Sequence, residues 1–196
     1  TYGSGTGAIV VPATGLQIRA RLRSSSGEWS ALESVDLPSA VAPEDSPLVR
    51  GLRFAEVMSC SADEDAAGNT GDGSEFIVFT NLLSDATLDL SGVRLTCTKT
   101  GNDAPSLDLT LPEGVSIPPR GSVKLTKADD WPTAKITNGK VELAVFDATG
   151  SSLLTGHVET SWFNAACDGT GASFLAVDLA RDVTTEAQWK PSFIPP

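Results

Sequence analysis

Short runs of apolar residues separated by turns dominate the chain, and many of them alternate with polar residues. Within residues 74–98, a continuous apolar run at 76–79 precedes an alternating run whose inward positions are Leu88, Leu90, Val93, Leu95 and Cys97. A continuous run is typical of a strand covered on both faces, whereas an alternating run has one core face and one wet face. These neighbouring strands predict the middle of a β-sandwich.

Gly92 interrupts the alternation, because Leu90 and Val93 would otherwise lie on opposite faces of one strand. A glycine at such a position is typical of a bulge or a bend. Further runs predict more strands, and no stretch shows sustained helical periodicity. The strands predicted after residue 50 are 52–58, 75–81, 87–98, 106–111, 122–127, 140–147, 153–159 and 172–179. We expect one helical turn or irregular structure at 182–189 and an exit segment at 191–196.

Two prolines with small and acidic residues at 39–47 predict a linker. Before it, residues 8–37 contain apolar runs at 8–11, 16–22 and 29–37, which are too few for a complete sandwich. The sequence therefore predicts a short β-sheet segment at 1–38, a linker at 39–50 and a self-sufficient β-sandwich at 51–196. The first residues carry no signal-peptide pattern, so we expect a piece of a longer protein.

The net charge of −11 and the isoelectric point near 4.4 act against partners that bind through phosphate groups. Nucleic acids and anionic membrane surfaces are therefore not expected as partners. No apolar run approaches the roughly 20 residues that span a bilayer, so membrane insertion is not expected.

Three cysteines are too few to predict a disulfide framework. Cys97 continues the inward phase of its strand, which predicts a buried thiol. Cys60 and Cys167 lie in predicted loops. Two free thiols are the preferred interpretation for them, with a bridge in an oxidising compartment as the alternative.

The loop at 61–75 combines clustered carboxylates with several glycines. Asp63, Asp65 and Gly68 have the spacing of a calcium-binding loop, and Asp72 is a further candidate oxygen ligand. However, Ala67 and Ser74 stand where such a loop supplies ligands. The preferred interpretation is a solvated acidic loop, and no cofactor is predicted.

His157 is the only histidine, so a catalytic triad or a zinc site would have to use it. No Gly-x-Ser-x-Gly sequence and no second histidine accompany it, which favours a histidine on the surface of a strand. The Asp168-Gly169-Thr170-Gly171 stretch lacks the lysine and helix of a phosphate loop. Its glycines predict turn geometry with positive φ.

Four tryptophans raise the possibility of a sugar-stacking surface. Trp131 and Trp189 have loop-like surroundings in which an exposed ring would be feasible, whereas Trp162 follows a strand. Core or inter-domain packing is the preferred interpretation for all of them.

The N-terminal segment contains an apolar strand, a turn and then the matching residues Ile18, Ala20, Arg21, Gly27, Trp29 and Ser30. This order resembles the closing strands of the immunoglobulin-like repeats at the C-terminus of chitobiase-type glycosidases and in many bacterial surface proteins. The opening strands of that repeat are absent. The resemblance therefore implies only its last half at 1–38.

A second resemblance covers about residues 51–192. Its phrases, in order, are RFAEVM, EFIVFTN, LSGVRL, LPEGVSIPPRG, VELAVFDATG and WFNAACDGTGASF. They resemble a bacterial lamin tail domain, which implies an immunoglobulin-like β-sandwich. Three features depart from the family pattern: Val78 replaces an acidic residue, the loop at 59–74 is longer and richer in glycine, and Phe163 stands where a proline follows the tryptophan.

Together these observations predict an all-β protein, an immunoglobulin-like β-sandwich with an additional short N-terminal β-sheet segment. The resemblance implies a non-catalytic structural, adhesive or protein-binding module of a larger secreted or cell-envelope bacterial protein. Its expected partners are other domains of the same longer chain or other surface proteins. The alternative is a carbohydrate-binding accessory domain of a secreted hydrolase, with Trp131 or Trp189 contacting a glycan.

Overall fold

A computed structural model describes residues 16–20, 23–31, 33–37, 43–59 and 75–193. The chain divides between Ser46 and Pro47 into two compact units. In the first unit, β1 (Leu16–Ala20) pairs antiparallel with β2 (Glu33–Leu37), and a 3-10 turn follows at Pro43–Asp45. The predicted run at 29–37 thus becomes a strand only from Glu33, and the run at 8–11 lies outside the described residues.

The second unit begins with a one-turn helix, α1 (Pro47–Gly51), inside the predicted linker. A second short helix is α2 (Lys127–Asp130). The segment α3 (Trp162–Ala165) is a single turn with left-handed backbone at Phe163 and Asn164, and a 3-10 turn lies at Glu186–Gln188. The strands are β3 (Leu52–Met58), β4 (Phe76–Asn81), β5 (Leu88–Asp89), β6 (Arg94–Lys99), β7 (Leu107–Thr110), β8 (Ser116–Ile117), β9 (Ser122–Thr126), β10 (Lys140–Phe146), β11 (Ser152–Glu159), β12 (Phe174–Ala176) and β13 (Trp189–Pro191).

Two antiparallel sheets form the sandwich. One has the strand order β13-β12-β3-β4-β9 and the other has the order β11-β10-β6-β7, while β5 and β8 form a separate short pair. The order β3-β4-β9 corresponds to strands A, B and E of an immunoglobulin domain, and β7-β6-β10-β11 corresponds to C′, C, F and G. The predicted all-β, immunoglobulin-like sandwich is therefore confirmed.

The core consists of the side chains that alternate inward from the two sheets. Val141, Leu143 and Val145 of β10 are completely buried, as the period of two predicts. The rings of Phe54 and Phe79 pack with centroids 5.1 Å apart. All five predicted inward positions between Leu88 and Cys97 are buried as well.

β4 differs from its prediction in one respect. Ile77 and Phe79 face the core, but Phe76 and Val78 on the opposite face are only half-buried. Lys124 of the neighbouring β9 covers part of this outer face, because its Nζ lies 3.6 Å from the centroid of the Phe76 ring. The ammonium group of a lysine therefore shields part of this side of the strand.

The predicted strand at 87–98 is wrong in its continuity, because a turn divides it into β5 and β6. Gly92 has φ +74°, and Val93 N donates to Leu90 O at 3.0 Å. Residues with a side chain rarely adopt this left-handed conformation. Gly92 thus makes a turn that redirects the chain from the β5–β8 pair into the four-stranded sheet.

The C-terminal part is also more ordered than predicted. β12 is shorter than the predicted strand at 172–179. Residues 189–191 form β13, which overlaps the end of the segment at 182–189 and the first residue of the predicted exit segment at 191–196. Between β12 and β13, Val183 N donates to Thr155 O and His157 N donates to Val183 O, so this segment lines the edge of β11. Trp189 Nε1 donates to Val183 O at 3.2 Å, which anchors the start of β13.

Candidate functional site

Glu75 and Lys127 form a buried ion pair where β4 begins and β9 ends. Lys127 Nζ lies 3.6 Å from Glu75 Oε1, and the Glu75 side chain is fully buried. Glu75 Oε2 accepts a hydrogen bond from Ile136 N at 2.8 Å, and the Glu75 carbonyl accepts one from Lys127 N at 2.9 Å. A buried charge is tolerated only when it is paired and hydrogen-bonded, so this carboxylate fixes the segment around Ile136 against both strands.

A cavity of about 360 Å³ lies beside this pair, and its described lining comprises Ser106, Lys127 and residues 132–135. Lys127 and Lys135 make one wall of the cavity basic. Both lysines take part in further interactions within the protein, so neither is a free cation that could be assigned to a ligand. The cavity therefore lies within a structural network.

The three candidate metal ligands Asp63, Asp65 and Asp72 lie outside the described residues, so the calcium hypothesis stays a prediction. The strand ends on either side of their loop are adjacent, because Met58 pairs with Phe76. Within the described ranges, no group of three His, Cys, Asp or Glu side chains is arranged to hold a metal ion.

The two tryptophans proposed as a sugar-stacking surface are buried. Trp131 is 3% exposed and Trp189 is 2% exposed, because both pack into the hydrophobic core. Neither ring presents a face to solvent, so a glycan surface at Trp131 or Trp189 is wrong. Trp29 of the first unit is 46% exposed, and Arg23 lies over its ring at 5.5 Å from the centroid.

His157 lies on β11 as expected, but its ring is half-buried and not simply on the surface. It stacks on Trp162, with ring centroids 5.7 Å apart. Its Nε2 atom is buried and has no hydrogen-bond partner. Burial lowers the pKa of His157, Lys140 lowers this pKa further, and Glu159 and Glu142 act in the opposite direction. The ring thus serves as a packing element for the turn that carries Trp162.

That turn, α3, is left-handed. Phe163, Asn164 and Ala165 have φ values of 57°, 58° and 61° although none of them is glycine. Phe163 N donates to Glu186 Oε1 at 3.0 Å, and Trp162 and Phe163 both pack on Phe174. Consecutive left-handed residues are unfavourable for L-amino acids. The aromatic contacts and the Glu186 bond offset this cost, and no pattern in the sequence predicts it.

Cys97 and Cys167 are buried free thiols, which confirms the prediction for Cys97. Burial raises the pKa of each to about 11, so both are poor nucleophiles at neutral pH. Cys60 lies outside the described residues. Gly169 and Gly171 have φ values of 65° and 82°, which confirms the predicted turn geometry of this stretch.

The class that these observations define is an immunoglobulin-like β-sandwich whose buried polar groups form structural contacts. No protein-family model matches the chain, and no curated protein is similar to it in sequence. Among the described residues, no helix has the length and hydrophobicity needed to cross a bilayer.

Proposed function

We propose that this chain is a non-catalytic structural, adhesive or protein-binding module of a larger secreted or cell-envelope bacterial protein, with a lamin-tail-like second unit. The observation that supports this proposal most strongly is the role of the buried polar side chains. Glu75 holds Ile136 and Lys127, and Asn81 Nδ2 donates to the carbonyls of Ala86, Ile117 and Pro118. These polar groups hold the strands and loops of the sandwich together. Turns and strand edges are then the surfaces that contact partners.

The arrangement of two β-units in tandem supports the same proposal. The first unit contains a single described strand pair, whereas the second has a complete core. Modules of this kind act as spacers or adhesive surfaces because stiff sandwiches hold their loops and edges at fixed separations. Secretion or attachment to the cell envelope is the location that fits the family resemblance.

A binding assay with the complete chain tests the proposal against its alternative. The immobilised chain is incubated with surface proteins of the producing bacterium under chemical crosslinking, and separately with insoluble cellulose and chitin. We expect a crosslinked protein partner identified by mass spectrometry and no retention by either polysaccharide. Saturable retention that is lost in Trp29→Ala would favour the carbohydrate-binding alternative, and turnover of a glycoside or peptide substrate would refute the non-catalytic role.

A further inference from the structure

The outer edge of β9 is the terminal edge of the five-stranded sheet, and in the described part of the chain no strand pairs with it. Asn81 N donates to Gly121 O and Lys127 N donates to Glu75 O, so the odd-numbered residues of β9 bond to β4. In an antiparallel pair the alternate residues point their N–H and C=O groups away. Ser122 and Lys124 therefore direct their backbone groups outward.

The open edge has a defined length. At its far end, Thr126 N also points outward, but it donates to Asp130 Oδ2 at 2.7 Å. At its near end, Arg120 N donates to Leu83 O at 2.9 Å. Two outward residues between these caps offer two donors and two acceptors, which is enough for a short segment to add as a strand.

Charge determines which segment fits. The stretch 120–127 contains the basic residues Arg120, Lys124 and Lys127, in a chain whose net charge is −11. The next acidic residues, Asp129 and Asp130, each accept a hydrogen bond from Thr126.

Lys127 is engaged with Glu75, whereas Arg120 and Lys124 are exposed near the open backbone groups. Lys124 Nζ lies over the Phe76 ring, a contact that it exchanges for a carboxylate when an acidic strand binds. A lysine on an edge strand disfavours pairing with a neutral or basic strand and favours pairing with an acidic strand.

The backbone of Arg120 fixes where this basic residue lies relative to the edge. Arg120 has φ +57°, a conformation for which glycine is the favourable residue, and its side chain is exposed. The turn that Gly121 N closes by donating to Pro118 O at 2.9 Å imposes this conformation and places Arg120 directly before the open edge.

We propose that the outer edge of β9 binds an extended acidic peptide segment as a sixth strand of the sheet, with Arg120 and Lys124 contacting its carboxylates. This inference rests on the proposed protein-binding function and names the surface and the chemistry of its partner.

The first test uses the complete chain and two capped eight-residue peptides, one alternating glutamate with valine and one alternating lysine with valine. Amide hydrogen exchange is followed by NMR. We expect saturation with the glutamate peptide to slow exchange at Ser122 and Lys124 at least tenfold, and to leave Val123 and Leu125 unchanged because β4 already holds them. Unchanged exchange at Ser122 and Lys124, or equal binding of the lysine peptide, would overturn the proposal.

Variants separate the contribution of the backbone hydrogen bonds to peptide binding from the contribution of the side-chain charge. Ser122→Pro removes one outward N–H without touching the ladder to β4, and Ser122→Ala is its matched control. We expect Ser122→Pro to weaken binding of the glutamate peptide about tenfold and Ser122→Ala to change it less than about twofold. Lys124→Glu leaves the backbone intact and should reverse the preference between the two peptides. Equal affinities in all folded variants would refute the edge site. If Ser122→Pro fails to fold, an unchanged peptide preference in Lys124→Glu refutes it alone.

Two outcomes distinguish this inference from the proposed function. If the crosslinked surface protein is captured equally by Ser122→Pro and Lys124→Glu, the protein-binding function stands and the β9 site is wrong. If the chain dimerises in sedimentation experiments through an edge blocked by Ser122→Pro, and the glutamate peptide does not compete, the occupant is a second copy of the chain and the acidic-peptide proposal is refuted.

Discussion

Glu75 shows how a single side chain in this protein joins distant parts of the sequence. Glu75 is 1% exposed, and its carboxylate contacts a lysine and a backbone amide that lie more than fifty residues later in the chain. Removing one partner of such a pair leaves a desolvated charge behind, which costs more than the pair itself contributes. The sequence offers only a glutamate before an apolar run and a lysine after one.

We predict that Lys127→Met lowers the free energy of unfolding by about 3 kcal/mol, because Glu75 then stays buried without its cation. The double variant Glu75→Gln with Lys127→Met should lose less unfolding free energy than Lys127→Met alone. The side-chain amide of the new glutamine is uncharged and still accepts the hydrogen bond from Ile136 N. Urea unfolding of the single and double variants measures this coupling. Strictly additive losses would contradict the role of the pair.

His157 gives the stability a specific pH dependence. Its pKa is lower in the folded chain than in the unfolded chain, so the unfolded chain takes up the proton first as the pH falls. Its contribution to stability is therefore complete above the unfolded pKa of about 6.5 and declines below it. The unfolding free energy of the wild type minus that of His157→Gln should therefore be larger at pH 7.5 than at pH 5. A difference that is constant across this interval would refute the role of the ring.

At the level of elements, Gly92 decides where one strand ends and another begins. A Cβ at this position would lie 3.1 Å from Ala148 Cβ, in addition to requiring a left-handed conformation at φ +74°. Gly114 has φ +89°, but a Cβ at this position would meet nothing within 4 Å. A substitution there therefore measures the conformational cost without crowding.

Gly114→Ala should destabilise the protein by about 1 kcal/mol, through conformation alone. Gly92→Ala should cost about 2 kcal/mol, because crowding against Ala148 is added. Thermal or urea unfolding of both variants provides the comparison. Equal losses would mean that the turn moves to accommodate the methyl group.

Strand prediction succeeded where the pattern was long enough to carry a period. The seven residues of β3 match the predicted 52–58, and β10 differs by one residue at its end. β5 and β8 have two residues each and β13 has three, so no alternation can reveal them. Pairing with a partner strand, which is a tertiary property, decides their conformation.

The candidate site was less predictable for a related reason. Trp131 and Trp189 have polar neighbours in sequence, and only the folded chain shows that both rings turn into the core. The left-handed turn at α3 depends on contacts with Phe174 and Glu186, which no local pattern contains. Cys97, in contrast, lay within a clear alternation, and its burial was predicted correctly.

At the scale of the whole molecule, the hydrophobic core that the described residues form lies in the second unit. The described core residues lie between Val49 and Trp189, whereas the first unit has one described strand pair. A two-stranded sheet is marginally stable in water, so cooperative stability should reside in the second unit.

We therefore predict that a chain of residues 47–196 folds alone and unfolds in one transition, with a urea midpoint close to that of the complete chain. Far-UV circular dichroism and tryptophan fluorescence should report coincident curves. Non-coincident curves would contradict the single transition, and a midpoint lowered substantially by the deletion would show that the first unit stabilises the second.

The handedness of α3 restricts which residues the turn accepts during evolution. Glycine, asparagine and aspartate enter a left-handed conformation at low cost, whereas valine, isoleucine and threonine are strongly disfavoured there. A library randomised at Phe163, Asn164 and Ala165 should therefore be depleted of branched side chains at all three positions, although Asn164 and Ala165 are exposed to solvent. At those two exposed positions, the left-handed backbone conformation and not burial determines which residues are tolerated.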